Sequence, residues 1–449
     1  MSETTKATWI ANPLACLHPD HAGGLVIQHG TIQELVPKAA RPRLRYDEVF
    51  DASQHVLLPG LINTHHHFYQ TLTRALPAAV DQELFPWLRA LYPVWARLDE
   101  PAFRLANRLA MAELLLSGCT TAADHHYIFP ARLEAAIDIQ IEEARGLGLR
   151  VVLCRGSMDL SVEDGGLPPR GVTQSIDVIL ADCERLIGRF HERAPGAMTQ
   201  IALGPCSPFS VSADLMRQTA ALAQASDVRL HTHLAETADE TGYCIACHGM
   251  RPLDYVASLG WLGPRTWLAH GIHFSPDEMD RLAAAGMSIA HCPSSNMILG
   301  SGICPLPDLL ARGVAVGLGV DGSASNDSSN MIQEVRQALL LARAGGGIQA
   351  ARHRDPIIWA TKGSARCLGR DDIGEIALGK QADLALFKLD EPRFSGAGDP
   401  LAALITCGAS RADAVMIGGV WRVQEGRIPG LDMAQLCAAH SEAARRICG

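Results

Sequence analysis

Three consecutive imidazoles, His65, His66 and His67, follow the apolar run Val56-Leu57-Leu58 and the connecting stretch Pro59-Gly60-Leu61-Ile62-Asn63-Thr64. Side chains in a strand alternate faces, so a strand over 56–63 running into them points His65 and His67 one way and His66 the other. Two imidazoles on one side of a strand end can grip one metal ion. Other apolar runs end in similar residues. Val228-Arg229-Leu230-His231-Thr232-His233-Leu234 places His231 and His233 on one face, with Glu236 three residues beyond His233. The run 266–270 ends in His270, 287–291 ends in His291, and 314–320 runs into Asp321. Taken singly, a strand-end histidine is an ordinary hydrogen-bonded packing residue, and His66, His125 and His231 are read that way. Taken together, imidazole and carboxylate form a common ligand set for a divalent ion, and an N/O site suits zinc.

The elements that must position these groups follow from periodicity. Strand-like runs at 56–63, 119–124, 150–155, 199–204, 228–234, 266–270, 287–291 and 315–320 alternate with helical ones at 101–117, 131–146, 174–190, 212–225, 238–258, 276–285 and 328–343. Eight such strands over about 300 residues, alternating with helices, predict an α/β fold, a (β/α)8 TIM barrel, whose strands deliver their C-terminal ends to one face. The two ends of the chain read as short strands (25–27, 31–36, 384–387, 414–421), too few in either half to fold alone. The expected organisation is a composite β-sandwich from residues 1–58 plus 366–449, with the catalytic barrel at 59–365.

Bulk properties narrow the partners. Of the 449 residues 48% are hydrophobic, enough for a large core. A net charge of −9 argues against a nucleic-acid partner, because no basic stripe is available to neutralise phosphates. No apolar run is long enough to span a membrane. The polar start Met1-Ser2-Glu3-Thr4-Thr5-Lys6 has no signal-peptide core, so the expected location is cytoplasmic. Thirteen scattered cysteines, among them Cys119, Cys154 and Cys206 inside apolar runs, read as small buried hydrophobes of a reducing compartment. Cys244-Ile245-Ala246-Cys247-His248 matches a haem-attachment spacing, but it sits in a helical stretch of a chain without an export signal.

Four motifs in order, Asn63-Thr64-His65-His66-His67, His233-Leu234-Ala235-Glu236, Ala269-His270-Gly271 and Gly319-Val320-Asp321-Gly322-Ser323-Ala324-Ser325-Asn326, resemble the amidohydrolase superfamily. The resemblance spans essentially the whole chain. It implies His65, His67, His233 and Asp321 as metal ligands and Glu236 as the proton carrier. It implies His270 as a partner of the attacking water or of the tetrahedral intermediate, and Asp321 as a proton acceptor as well as a ligand. Binuclear members bridge two metals with a carboxylated lysine, and this chain has no lysine between Lys38 and Lys362. One divalent ion, expected to be zinc, is therefore implied, together with hydrolytic deamination of an amino-substituted heterocycle.

Aromatic residues are scarce at 5%, yet several fall between Phe68 and Trp95. A planar base could stack on Trp87 or Tyr92, whereas Trp95 reads as rim packing. Pro86 stands where nucleoside-deaminating relatives place a ribose-holding glutamate, which argues for a free base. Gln70, His126 and Arg155 are candidate donors to ring oxo groups, and Arg155 reads equally well as a structural ion-pair residue. The stretches 63–97, 120–127, 164–169 and 205–210 resemble the superfamily branch that deaminates 8-oxoguanine. That likeness implies conversion of 8-oxoguanine to urate and ammonia. Isoxanthopterin, guanine, cytosine or a hydroxylated amino-triazine are the alternative substrates, and a chlorohydrolase is a further neighbour. A metal-free scaffold protein is the reading outside the class. Members of the superfamily often assemble, so the partners expected are a small purine-like base and a possible second copy of the chain.

Overall fold

Eight parallel strands close into a barrel: β1 (Leu61–Asn63), β2 (Cys119–His126), β3 (Arg150–Ser157), β4 (Thr199–Pro205), β5 (Arg229–Leu234), β6 (Thr266–His270), β7 (Ser288–His291) and β8 (Ala315–Leu318). Each pairs with its neighbours in chain order, and the ring shuts where Leu318 of β8 meets Asn63 of β1. The architecture is a (β/α)8 barrel carrying two further sheets built from the chain's ends. The computed structural model describes residues 6–449, so most of the polar N-terminal stretch considered above lies outside the described residues. Among the described residues no helix is long and apolar enough to cross a membrane.

Alternation along the strands sorts the core. Ile62, Ala123, Val152, Cys154, Ala202, Trp267 and Ala290 meet inside the barrel, where Ala365, Leu368 and Ile373 join them. Leu153, Leu203, Leu230, Leu268, Ile289 and Val316 point outward to the helical layer. The same rule organises the terminal sheets. One has the order Thr31–Val36, Gly24–Gln28, Thr8–Ala11, Glu48–Asp51; the other has the order Val420–Val423, Ala414–Ile417, Leu384–Lys388, His55–Pro59, Ala15–Cys16. Leu57, Leu384 and Leu386 pack with Ile10, Leu25 and Ile27 between the two sheets, while Val56, Leu58, Ala385 and Phe387 turn to the barrel side.

The expected first strand, 56–63, is two strands. His55–Pro59 pairs antiparallel with Leu384–Lys388, and only Leu61–Asn63 enters the barrel. Gly60 is the joint, where a Cβ would lie 2.1 Å from Thr120 Oγ1. His65 to His67 therefore lie beyond the strand. The single helix expected over 238–258 is also two, Ala238–His248 and Pro252–Ser258, because Gly249 (φ 68°) caps the first and Pro252 opens the second. The aromatic-rich stretch that follows the histidine triplet contains the helix Leu84–Trp95. Beyond the expected C-terminal strands, Met433–Cys448 is a helix. It braces the short 3-10 helix Phe68–Thr73 through His440 Nε2 and Thr71 Oγ1 at 3.0 Å, and it bonds Asp99 through Arg446 at 2.5 and 2.9 Å.

A buried charge pair ties the barrel floor to the terminal sheets. Arg150 at the start of β3 grips Asp383 in a two-pronged contact, both bonds 3.0 Å. Asp383 also accepts from Gly418 N, and its own carbonyl accepts from Gly60 N.

Candidate metal centre and active site

The C-terminal ends of β1, β5, β6 and β8 bring His65, His67, His233, His270 and Asp321 to one point at the barrel mouth. His67 Nε2 lies 3.2 Å from His233 Nε2 and 3.3 Å from Asp321 Oδ1. His65 Nε2 lies 3.4 Å from Asp321 Oδ1. All are buried.

Hydrogen bonds on the far side of each ring fix which nitrogen carries the lone pair. His67 Nδ1–H donates to His125 O and His233 Nδ1–H to Cys206 O, each at 2.7 Å. His231, read as a packing residue, acts one step further out. Its Nδ1–H donates to Trp267 O at 2.8 Å, which leaves Nε2 to accept from His65 Nδ1–H, also at 2.8 Å. Three Nε2 lone pairs thus converge without a proton between them. Neutral imidazoles placed this way cannot bond one another, and His65 Nε2 is buried with no hydrogen-bond partner. A cation among them satisfies all three at once, so the donor set fits a divalent metal. His125 also approaches His65 and His233. It spends its Nε2–H on Gly204 O at 2.6 Å, and its Nδ1 is buried without a partner. Burial holds His67 and His233 below the ordinary imidazole range, the state a metal needs.

Backbone strain and a carboxylate clamp aim the remaining groups. Ala235, His270 and Asp321 have φ of 55°, 71° and 62°, uncommon for residues other than glycine. Trp267 and Ala269 face the barrel interior, so an extended His270 would face outward; its left-handed φ turns it over the site. There Nδ1 meets Asn296 Oδ1 at 3.0 Å, and Nε2 lies 3.6 Å from Glu236 Oε2 and 3.9 Å from Asp321 Oδ2. Glu240 accepts from Ala235 N (2.9 Å) and Glu236 N (2.8 Å), holding the turn that presents Glu236. Burial pushes the Glu236 carboxyl up to about 7; the His270 charge opposes this and the Asp321 charge adds to it. Burial disfavours a charge on His270, but Glu236 and Asp321 outweigh that and raise it. The pair can share and pass a proton.

A cavity with an empty volume of about 380 Å³ opens above these groups, lined by His67, His233, Glu236, His270 and Asp321 on its floor. Gln70, Leu84, Trp87, Leu88, Tyr92, Tyr127, Cys206, Ser207, Phe209, Leu299 and Ser325 form its walls. Gln70 Oε1 accepts from Ala324 N at 3.4 Å, and its Nε2 is buried without a partner. Gly322 makes room for that amide, since a Cβ there would sit 1.8 Å from Oε1. Trp87 is held by Nε1–H donating to Ala324 O at 3.1 Å.

Two expected substrate donors are not brought here. Arg155 points outward from β3 and bonds Asp182 (2.7 Å), Gln174 (2.8 Å) and Gly156 O (2.6 Å), with its guanidinium 3.8 Å from the Phe129 ring centre. It is the structural ion-pair residue of the two readings. His126 also faces outward, against Phe103 and Phe129. Strand parity explains both. Ala123 and His125 on β2, and Val152 and Cys154 on β3, are the inward residues, which puts His126 and Arg155 on the outer face. Tyr127, Cys206, Ser207, Phe209, Leu299 and Ser325 were missed. Only the position of Cys206–Phe209 just past a strand end could have suggested them.

Comparison with known proteins agrees with this geometry. Residues 56–422 match the profile of the amidohydrolase family. The chain is 60% identical over 440 residues to an 8-oxoguanine deaminase of Pseudomonas aeruginosa, covering 97% of this chain and 98% of that one. It is 38% identical over 426 residues to an isoxanthopterin deaminase from an unknown prokaryotic organism, covering 90% and 88%. Among solved structures, the zinc complex of atrazine chlorohydrolase from Arthrobacter aurescens superimposes with a TM-score of 0.91 at 31% identity, covering 97% of this chain and all of that one.

Proposed function

Because the chain belongs to the amidohydrolase family, we propose that its barrel mouth is a zinc-dependent deaminase site that converts 8-oxoguanine and water to urate and ammonia. The observation that carries the chemistry is the convergence of three imidazole lone pairs and Asp321 beside a protonatable Glu236. The substrate rests on the extent of the likeness to the Pseudomonas aeruginosa deaminase.

His65, His67, His233 and Asp321 would hold the ion, and the zinc of the superimposable chlorohydrolase supports that metal. When bound, zinc supplies Lewis acidity that brings the pKa of a coordinated water toward ~7. The protein's own groups do the rest. Asp321 Oδ2 takes a proton as the water attacks the amino-bearing carbon. Glu236 gives its proton to the adjacent ring nitrogen, so that carbon can become tetrahedral; the proton held by Asp321 then passes to the departing amine, and the proton of the new hydroxyl restores Glu236 as the C–N bond breaks and the carbonyl forms. His270 Nε2, held by Asn296, stabilises the new oxygen. Gln70 Nε2 donates to an oxo group, Trp87 and Tyr92 flank the ring, and the apolar walls exclude bulk water. Residues 59–365 form the catalytic unit in this reading, with 1–58 and 366–449 as its sandwich. The thirteen free cysteines support work in a reducing cytoplasm. Assembly into a homo-oligomer remains part of the same proposal.

The likeness to isoxanthopterin deaminase favours a second reading, a fused pterin ring with the same amidine edge. An ammonia-release assay over 8-oxoguanine, isoxanthopterin, guanine, cytosine and a hydroxytriazine separates them. The proposal expects the highest kcat/KM for 8-oxoguanine. A higher value for isoxanthopterin installs the second reading, and turnover of the triazine alone overturns both.

A further inference from the structure

We propose that the floor of the barrel, opposite the catalytic mouth, carries a binding site for a phosphate-like dianion. Arg229, His231 and His233 share one face of β5, so all three point into the barrel. The two histidines serve the upper end, and Arg229 occupies the lower one. Its guanidinium carbon lies 5.6 Å from the Trp267 ring centre, and it presses on Gly369, where a Cβ would sit 2.6 Å from its terminal nitrogen. Arg229 Nε is buried with no hydrogen-bond partner, and no carboxylate pairs with the side chain among the described residues.

The recess that Arg229 lines has an empty volume of about 700 Å³. Arg193 and Arg265 stand on its rim, and its single carboxylate, Asp227, is taken: it pairs with Arg265 and lies 3.6 Å from Arg193. Three guanidinium groups face one carboxylate, an excess of two positive charges. The Arg229 side chain is partly buried, its Nε enclosed without a counter-ion, and like-charged Arg265 nearby adds to the excess of positive charge. A dianion in the recess balances the charge, and its oxygens match the planar donor fork of Arg229. The phosphate could be free or the end of a nucleoside monophosphate; both present the same group to Arg229.

The test uses the zinc-loaded full chain in phosphate and in chloride at equal ionic strength. Saturating phosphate should raise the melting midpoint by about 3 °C, and Arg229→Met should abolish the rise. Arg193→Gln changes an exposed side chain and should weaken phosphate binding about tenfold by calorimetry; it carries the test if Arg229→Met does not fold. Tighter binding of a purine nucleoside monophosphate than of inorganic phosphate assigns the site to a nucleotide, and equal binding assigns it to the free ion. A midpoint indifferent to phosphate, or Arg193→Gln binding it like the wild type, overturns the proposal.

Discussion

Glu236→Gln tests the catalytic reading most directly. An ordinary glutamate of pKa 4.5 is about 0.3% protonated at pH 7, whereas a carboxyl held at about 7 is half protonated. Burial of Glu236 thus enriches the acid form about 150-fold at neutral pH. Glutamine matches the protonated carboxyl in shape and keeps the backbone bonds to Glu240, so the fold and the ligand set stay intact. It cannot release a proton, and kcat should fall by about 10²–10⁴ with zinc content and KM little changed. The pH profile supplies a second reading. The acid form is present below the folded pKa and lost above it, so wild-type kcat/KM should decline as pH rises through about 7. The residual activity of Glu236→Gln should lack that limb. Stopped-flow or steady-state ammonia release across pH 5.5–9, with zinc measured by atomic absorption, covers both. A drop in kcat smaller than tenfold, or loss of zinc with turnover, refutes the role given to Glu236.

Three further outcomes follow from particular contacts. His231→Phe keeps the stack on Trp267 (4.3 Å between ring centres) but removes the acceptor that orients His65; zinc affinity should fall about 10–100-fold in a chelator competition. Gln70→Ala removes one donor to the base, so KM should rise about five- to tenfold with zinc content unchanged. Asp383→Ala leaves the Arg150 guanidinium buried and unpaired, and urea denaturation should show a loss of about 3–5 kcal/mol.

The metal-site geometry was legible because the chain puts polar side chains where apolar runs stop, and a closed barrel must gather those stops. Parity put His233 on one face with His231, Asp321 stood where a run ended, and the ligand role of each came from the family resemblance. His270 was legible as the end of a run although parity points it outward; the left-handed turn at His270 itself, which brings it over the site, was not. What was not legible depended on distant partners. Val56–Leu58 is apolar on both faces and fits either sheet, so only the approach of Thr120 to Gly60 reveals the break. The 433–448 helix buries Leu436, His440, Ala443 and Ile447 at helical spacing, but its many small residues weaken the signal. The alternation that groups His231 with His233 also turns His126 outward, and it decides between the two readings of Arg155 in favour of the ion pair with Asp182.

The joint at Gly60 has a consequence for anyone who would dissect this enzyme. The polypeptide leaves one sheet at Pro59 and reaches the first imidazole six positions later, with only Leu61–Asn63 as barrel strand in between. A fragment starting at residue 60 would leave that three-residue stave at a loose end, where terminal fraying outweighs so short a pairing. The sandwich is therefore the anchorage that keeps the histidine triplet taut, and an excised barrel should lose its metal before it loses its shape.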